Sequence, residues 1–229
     1  MKTFKLNLLC ALGSAVLLAA GCSNQKPAAQ ADAPTPTPAP APATNQSPAT
    51  TDTGDVAVLD TSDGEMVISF WPDTAPKTVA NFEKLARAGF YDGTAFHRII
   101  DGFMVQGGDP NTKDLTKESE YGMGGPGYSI EGEVSNRPDR FHVRGVISMA
   151  NSGSPDTAGS QFFICLADLQ QLNGGYTTFG KLIKGDDVLE KIAKTPVGPN
   201  SQGENSKPLQ RVELISVKIV PAAEVDLKG

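Results

Sequence analysis

Apolar runs and polar breaks succeed one another from about residue 56 to residue 220, and their lengths predict the elements. Residues 56–61 and 65–70 read as two strands joined around Asp63-Gly64, a strong hairpin signal. Over 74–88 the period becomes helical. Val79, Phe82, Leu85 and Ala86 fall on one face, Pro76 suits the first turn and Gly89 suits the stop. Further strands are predicted at 94–100, 103–106, 128–131, 146–150, 162–166, 178–183 and 212–220. A second helix fits 187–194, with Asp186 as its N-cap and Pro196 beyond its end. Many short strands with only two helices describe a mainly β domain, either a closed antiparallel barrel or a sandwich. Periodicity does not choose between them.

The N-terminal part has a different pattern. Lys2 and Lys5 precede an apolar stretch over 6–20 that ends in small residues. This is the form of an export signal, too short and wrongly flanked for a spanning helix. Its end, Leu18-Ala19-Ala20-Gly21-Cys22, resembles a bacterial lipobox, in which the cysteine is lipid-modified and becomes the new N-terminus. Residues 1–22 are therefore expected to be a lipoprotein signal peptide, with Cys22 as the lipid attachment site. Ser23 follows it, which resembles sorting to the outer membrane, facing the periplasm, if the organism has two membranes. Residues 23–54 hold seven of the chain's 17 prolines among Ala, Thr and Gln. Such a segment buries too little apolar surface to offset its ordering entropy. It is expected to be an extended tether, with a reach on the order of 90 Å. The domain is then expected over 55–221, followed by a tail at 222–229.

Charge and cysteines narrow the picture. A net charge of −6 argues against nucleic acid as a partner and lends no support to an electrostatic membrane contact. Of three cysteines, Cys10 leaves with the signal and Cys22 would carry lipid. Cys165 alone remains, inside an apolar run, so no disulfide forms within the mature domain and the thiol reads as a small buried hydrophobe.

The chemistry concentrates in two stretches. Residues 96–109 read FHRIIDGFMVQGGD: a strand, an Asp101-Gly102 turn, and a returning strand that places Arg98 on a face with groups from its partner. Residues 145–166 read GVISMANSGSPDTAGSQFFICL. Together the two blocks closely resemble the cyclophilin family of peptidyl-prolyl isomerases, and the resemblance extends from about 56 to 220. It implies a closed eight-stranded antiparallel β-barrel capped by two α-helices.

It also implies a reaction that needs no cofactor and no metal. Arg98 matches the family's catalytic arginine. Phe103, Met104 and Phe163 match its apolar proline pocket, and their alternate neighbours Val105, Phe162 and Ile164 are left for the core. Gln106 and Asn151 match the groups that hold the peptide backbone. Gln161 and Ala150 line the same groove, Leu172 and Tyr176 match its far wall, and His97 belongs to the motif. The spacing of His97, His142 and Asp109 does not support a metal site, and neither Ser160 nor Cys165 has the surroundings of an activated nucleophile.

Three positions depart from the family pattern. Gln171 falls where a tryptophan is frequent, which bears on cyclosporin binding more than on catalysis. Tyr176 stands where a histidine is frequent. Residues 111–123 form a longer, more charged loop than the usual Gly/Thr run, either a tolerated surface loop or a partner contact. The sequence thus reads as a lipid-anchored, monomeric isomerase of the bacterial cell envelope that acts on proline-containing polypeptides. The rival is a module of the same fold that binds proline peptides without turnover, as a chaperone or scaffold. An intact Arg98 favours the enzyme, because binding alone does not require that donor.

Overall fold

The computed structural model describes residues 54–226. The expected signal peptide with Cys22, and the expected tether up to residue 53, lie outside them. The chain opens with strands β1 (Asp55–Thr61) and β2 (Gly64–Phe70), paired antiparallel as the Asp63-Gly64 signal predicts. Helix α1 (Pro76–Arg87) follows, with Pro76 in its first turn. Its free N–H groups have no local cap. The carboxylate of Glu133 accepts from Lys77 N at 3.1 Å and from Thr78 N at 2.8 Å instead.

The run at 94–100 is not one strand. It forms β3 (Thr94–Phe96) and β4 (Arg98–Ile100), broken at His97. Next come β5 (Met104–Gly107), β6 (Val146–Met149), β7 (Phe162–Cys165) and β8 (Thr178–Lys184). Helix α2 spans Asp186–Ala193, and then come β9 (Val197–Pro199), β10 (Asn205–Pro208) and β11 (Val212–Pro221). The small β9–β10 hairpin has no counterpart among the predicted elements.

The main sheet runs β3-β11-β1-β2-β8-β6-β7-β5-β4, antiparallel throughout. Its two end members are halves of one strand, so the order returns on itself. β3 pairs with β11 and β4 pairs with β5. The break at His97 lets one strand serve both neighbours, and the His97 N–H continues the β4–β5 ladder by donating to Gln106 O at 3.0 Å. Counting β3 and β4 together, the sheet is the expected eight-stranded barrel, with closure removing exposed edges.

Two further expectations fail locally. Residues 128–131 do not form a strand and make a single bridge, Ile130 to Ala158. The segment runs beside a Gly- and Pro-rich loop, where no second ladder bond follows. Asp186 does not cap α2. Gly185 does, at φ 90°, a left-handed conformation that suits glycine. A Cβ there would strike the Glu65 carbonyl oxygen.

The barrel interior is filled from alternate strand positions and from both helices. Phe82 of α1 stacks on Tyr91 at 4.9 Å, meets Phe162 edge to face and lies tilted against Phe179. Val105, Phe162 and Ile164 point into the same core, as does Leu189 of α2. The opposite faces of β5 and β7 carry Met104, Phe163 and Cys165, which form a second cluster with Leu169, and Phe103, Ala150, Leu172 and Tyr176 pack against it. That outer cluster floors the candidate site.

Candidate active site

Register brings the site together. Arg98 on β4 lies opposite Gln106 on β5, and Gln106 lies opposite Phe163 on β7. Facing residues in neighbouring strands share a face. Arginine, amide and aromatic ring therefore stand in one row on the outside of the barrel. The β4–β5 turn is tight, with Phe103 N donating to Ile100 O at 2.9 Å and Gly102 at φ 71°.

A pocket of about 190 Å³ opens along this row. It is lined by Arg98, Phe103, Met104, Gln106, Ala150, Asn151, Phe163, Leu172 and Tyr176. Its floor is rigid. Tyr176 meets Phe163 edge to face at 5.5 Å, and His142 stacks behind Phe163 at 5.9 Å. His142 is fully held. Asn173 Oδ1 already accepts the His142 backbone N–H at 3.0 Å, so it also accepts from Nδ1–H at 2.8 Å. Nε2 lies 3.0 Å from the Ser148 hydroxyl, which also lies 2.9 Å from the Thr177 carbonyl oxygen. Burial pulls the His142 pKa down and keeps this neutral ring in place.

Arg98 pairs with a residue outside every expected set. Its Nε donates to Glu204 Oε2 at 2.6 Å and its Nη2 to Glu204 Oε1 at 2.7 Å. The third nitrogen, Nη1, lies 3.8 Å from Met104 Sδ, on the pocket side. The pair is partly exposed, 30% for the Arg98 side chain and 39% for that of Glu204. Arg98 holds the Glu204 carboxyl below its ordinary pKa. Glu204 ends the turn between β9 and β10. Its one sequence signal is a lone acid beside Gly203, and nothing in that signal points to residue 98.

The remaining expected residues have other surroundings. Gln161 is outside the pocket lining. It accepts from Gln106 Nε2 at 2.9 Å and borders a neighbouring cleft with Met123, Tyr128, Ala150 and Thr157. The Asn151 side chain donates to Gly175 O at 2.9 Å and accepts from Gly153 N at 3.0 Å, fixing the pocket rim. His97 is also outside the pocket and borders a cleft on the far side of Arg98. Both its ring nitrogens are buried without a hydrogen-bond partner, and burial pushes its pKa down to about 4. Cys165 is wholly buried, with its thiol pushed up to about 12, which is no state for a nucleophile. Among the described residues no group of three His, Cys, Asp or Glu side chains is placed to hold a metal ion.

Comparison with known proteins gives a consistent result. The family model described as cyclophilin type peptidyl-prolyl cis-trans isomerase/CLD matches residues 56–219. A peptidyl-prolyl cis-trans isomerase of Arabidopsis thaliana is 44% identical over 165 residues, covering 70% of this chain and 93% of that protein. One of Synechococcus elongatus is 47% identical over 139 residues, covering 61% and 86%. The crystal structure of a Cryptosporidium parvum cyclophilin type peptidyl-prolyl cis-trans isomerase, in the presence of the dipeptide Ala-Pro, superposes with a TM-score of 0.62. The two sequences are 34% identical, and the match covers 72% of this chain and 98% of that one.

Proposed function

The chain belongs to the cyclophilin-type peptidyl-prolyl cis-trans isomerases, and from that premise we propose that Arg98 and the pocket beside it accelerate rotation about Xaa-Pro bonds in exported proteins. The barrier to that rotation is amide resonance, about 18–20 kcal/mol, and unaided it takes tens to hundreds of seconds in Xaa-Pro. No bond is broken, so no nucleophile is required.

The single observation that carries the reading is the Nη1 group of Arg98 at the edge of a pocket floored by Met104 and Phe163. A proline ring seated on Phe103, Met104 and Phe163 brings its nitrogen within reach of that donor. As the bond twists, the nitrogen pyramidalises and its lone pair becomes a hydrogen-bond acceptor. Arginine, always protonated and with its donors fixed in a plane, stabilises the twisted form more than the planar one. Gln106 and Asn151 at the rim hold the flanking peptide. The Ala-Pro dipeptide named with the Cryptosporidium structure supports proline-containing polypeptides as the substrate class.

The test is two-dimensional NMR exchange on a Xaa-Pro peptide, with and without the purified chain. Catalytic amounts should produce exchange between cis and trans resonances. Unchanged exchange overturns the enzyme and leaves a proline-peptide binder. The envelope location rests on residues 1–22 and the Cys22 lipobox. Labelled palmitate fed to the native host should enter the wild-type protein and not a Cys22→Ala variant. An unlabelled wild type after signal removal overturns the lipid anchor.

A further inference from the structure

Arginine carries a long, mobile side chain, and the mechanism requires one of its nitrogens at a fixed spot. Arg98 sits on a three-residue strand at the barrel surface. We propose that Glu204 is a positioning residue for the isomerase reaction: its carboxylate grips the Nε–Nη2 edge of Arg98 and leaves Nη1 as the donor presented to the proline pocket. The proposal rests on the functional reading above.

Three observations carry it. The grip is two-pronged, at 2.6 and 2.7 Å, the geometry in which a carboxylate fixes both the position and the plane of a guanidinium. The ungripped nitrogen is the one beside Met104, a pocket residue. Glu204 is itself held. Its backbone N–H donates to Asn200 Oδ1 at 2.9 Å, its carbonyl accepts from Asn200 N at 2.8 Å, and Asn200 Oδ1 also takes the Gln202 N–H at 2.9 Å. Gly203, at φ 83°, completes the turn. Asn200 thus ties the turn that carries Glu204, and Glu204 ties Arg98. Glu204 does not border the proline pocket, so it acts through the arginine and not on the peptide. Glu204 also stays ionised through the neutral range, since Arg98 lowers its pKa.

An arginine whose plane is preset loses less freedom on reaching the transition state, so the benefit belongs to kcat and not to KM. The experiment compares the wild-type full chain with Glu204→Ala, Glu204→Gln, Arg98→Ala and the double alanine variant. NMR exchange on one Xaa-Pro peptide supplies kcat and KM. Nitrogen-15 spectra follow the Arg98 Nε–H. Glu204→Ala should lower kcat roughly tenfold with KM within about twofold. Glu204→Gln, which keeps one acceptor, should recover part of the loss. In the Arg98→Ala background, Glu204→Ala should change nothing further. The Nε–H signal should be protected from exchange in the wild type and lost to exchange in Glu204→Ala. An unchanged kcat overturns the proposal. A raised kcat also overturns it, since the pair is then a brake. Further loss in the Arg98→Ala background shows that Glu204 acts elsewhere, and equally overturns it. An inactive wild type, or Arg98→Ala at the wild-type rate, overturns the functional reading itself and the positioning role with it.

Discussion

The side-chain amide of Gln106 donates to Gln161 Oε1 at 2.9 Å, and Gln161 Nε2 in turn donates to the carbonyls of Gly122 and Gly124 at 2.9 and 2.8 Å. One amide therefore joins a pocket residue to the end of the long loop at 111–123. The buried carboxylate of Asp109 closes the same loop at its neck, accepting from Asn111 N at 2.7 Å and from the N–H groups of Gly122 and Gly124. Gly124 must be glycine there, because a Cβ would fall on Asp109 Oδ1. The loop is tied down at its base and exposed along its length, and Glu118 pairs with Lys207 of β10.

Gln161→Leu keeps the size and removes all three hydrogen bonds. The Gln106 amide and two carbonyls lose a partner, at a cost of about 0.5–1.5 kcal/mol in stability. KM for a Xaa-Pro peptide should rise severalfold with kcat little changed, because Gln106 then loses its fixed orientation. Hydrogen exchange at Gly122 and Gly124 should quicken. An unchanged KM and unchanged exchange would show that the bridge does not order the groove.

Arg98→Ala should reduce turnover at least tenfold, a loss above about 1.4 kcal/mol of transition-state stabilisation, with the fold intact. Arg98→Lys should restore little, because an ammonium offers neither the planar donor set nor a two-pronged partner for Glu204. Exchange rates on a short Xaa-Pro peptide check both. Full activity in the lysine variant would mean that charge alone suffices.

Acid should weaken the fold in a defined window. His97 and His142 have folded pKa values lowered by burial, His97 to about 4 from the ordinary 6.5. Below pH 6.5 the unfolded chain binds protons that the folded chain refuses. Stability is complete above that pH and is lost as pH falls towards 4, by on the order of 3 kcal/mol. Urea unfolding at pH 7.5 and pH 5 measures it. A His97→Leu variant should show a shallower pH dependence, and an equal slope in both proteins would contradict the assignment.

Gln171 is exposed on a short helical turn, Gln170–Leu172, at the position where the family often carries a tryptophan. An aromatic surface often dominates binding energy. Cyclosporin should therefore inhibit weakly. Gln171→Trp should tighten inhibition with little change in turnover, since the proposed seat of the substrate proline is Phe103, Met104 and Phe163. Inhibition titrations of both proteins decide it, and tight inhibition of the unmutated chain would refute the argument.

Much of this molecule follows from local rules. The two-residue period of a strand put Val105, Phe162 and Ile164 in the core and left Met104 and Phe163 for the outer face. The helical period found the buried stripe of α1, and strand alternation around Arg98 gave the face it shares with Gln106. Those signals lie within a few residues of each other, so the chain carries them before it folds. Other features depend on what a segment meets. Residues 128–131 have strand-like composition, yet only Ile130 finds a partner. The strand at 94–100 breaks at His97 because two different neighbours claim its halves. Gly185 displaces Asp186 as the cap of α2 because β2 passes too close for a side chain. The pairing of Arg98 with Glu204 spans 106 residues and exists only because the closed barrel brings the β9–β10 turn beside β4. Periodicity records which face a residue takes; which distant group it then meets is set by strand register and barrel closure, and these exist only in the folded chain.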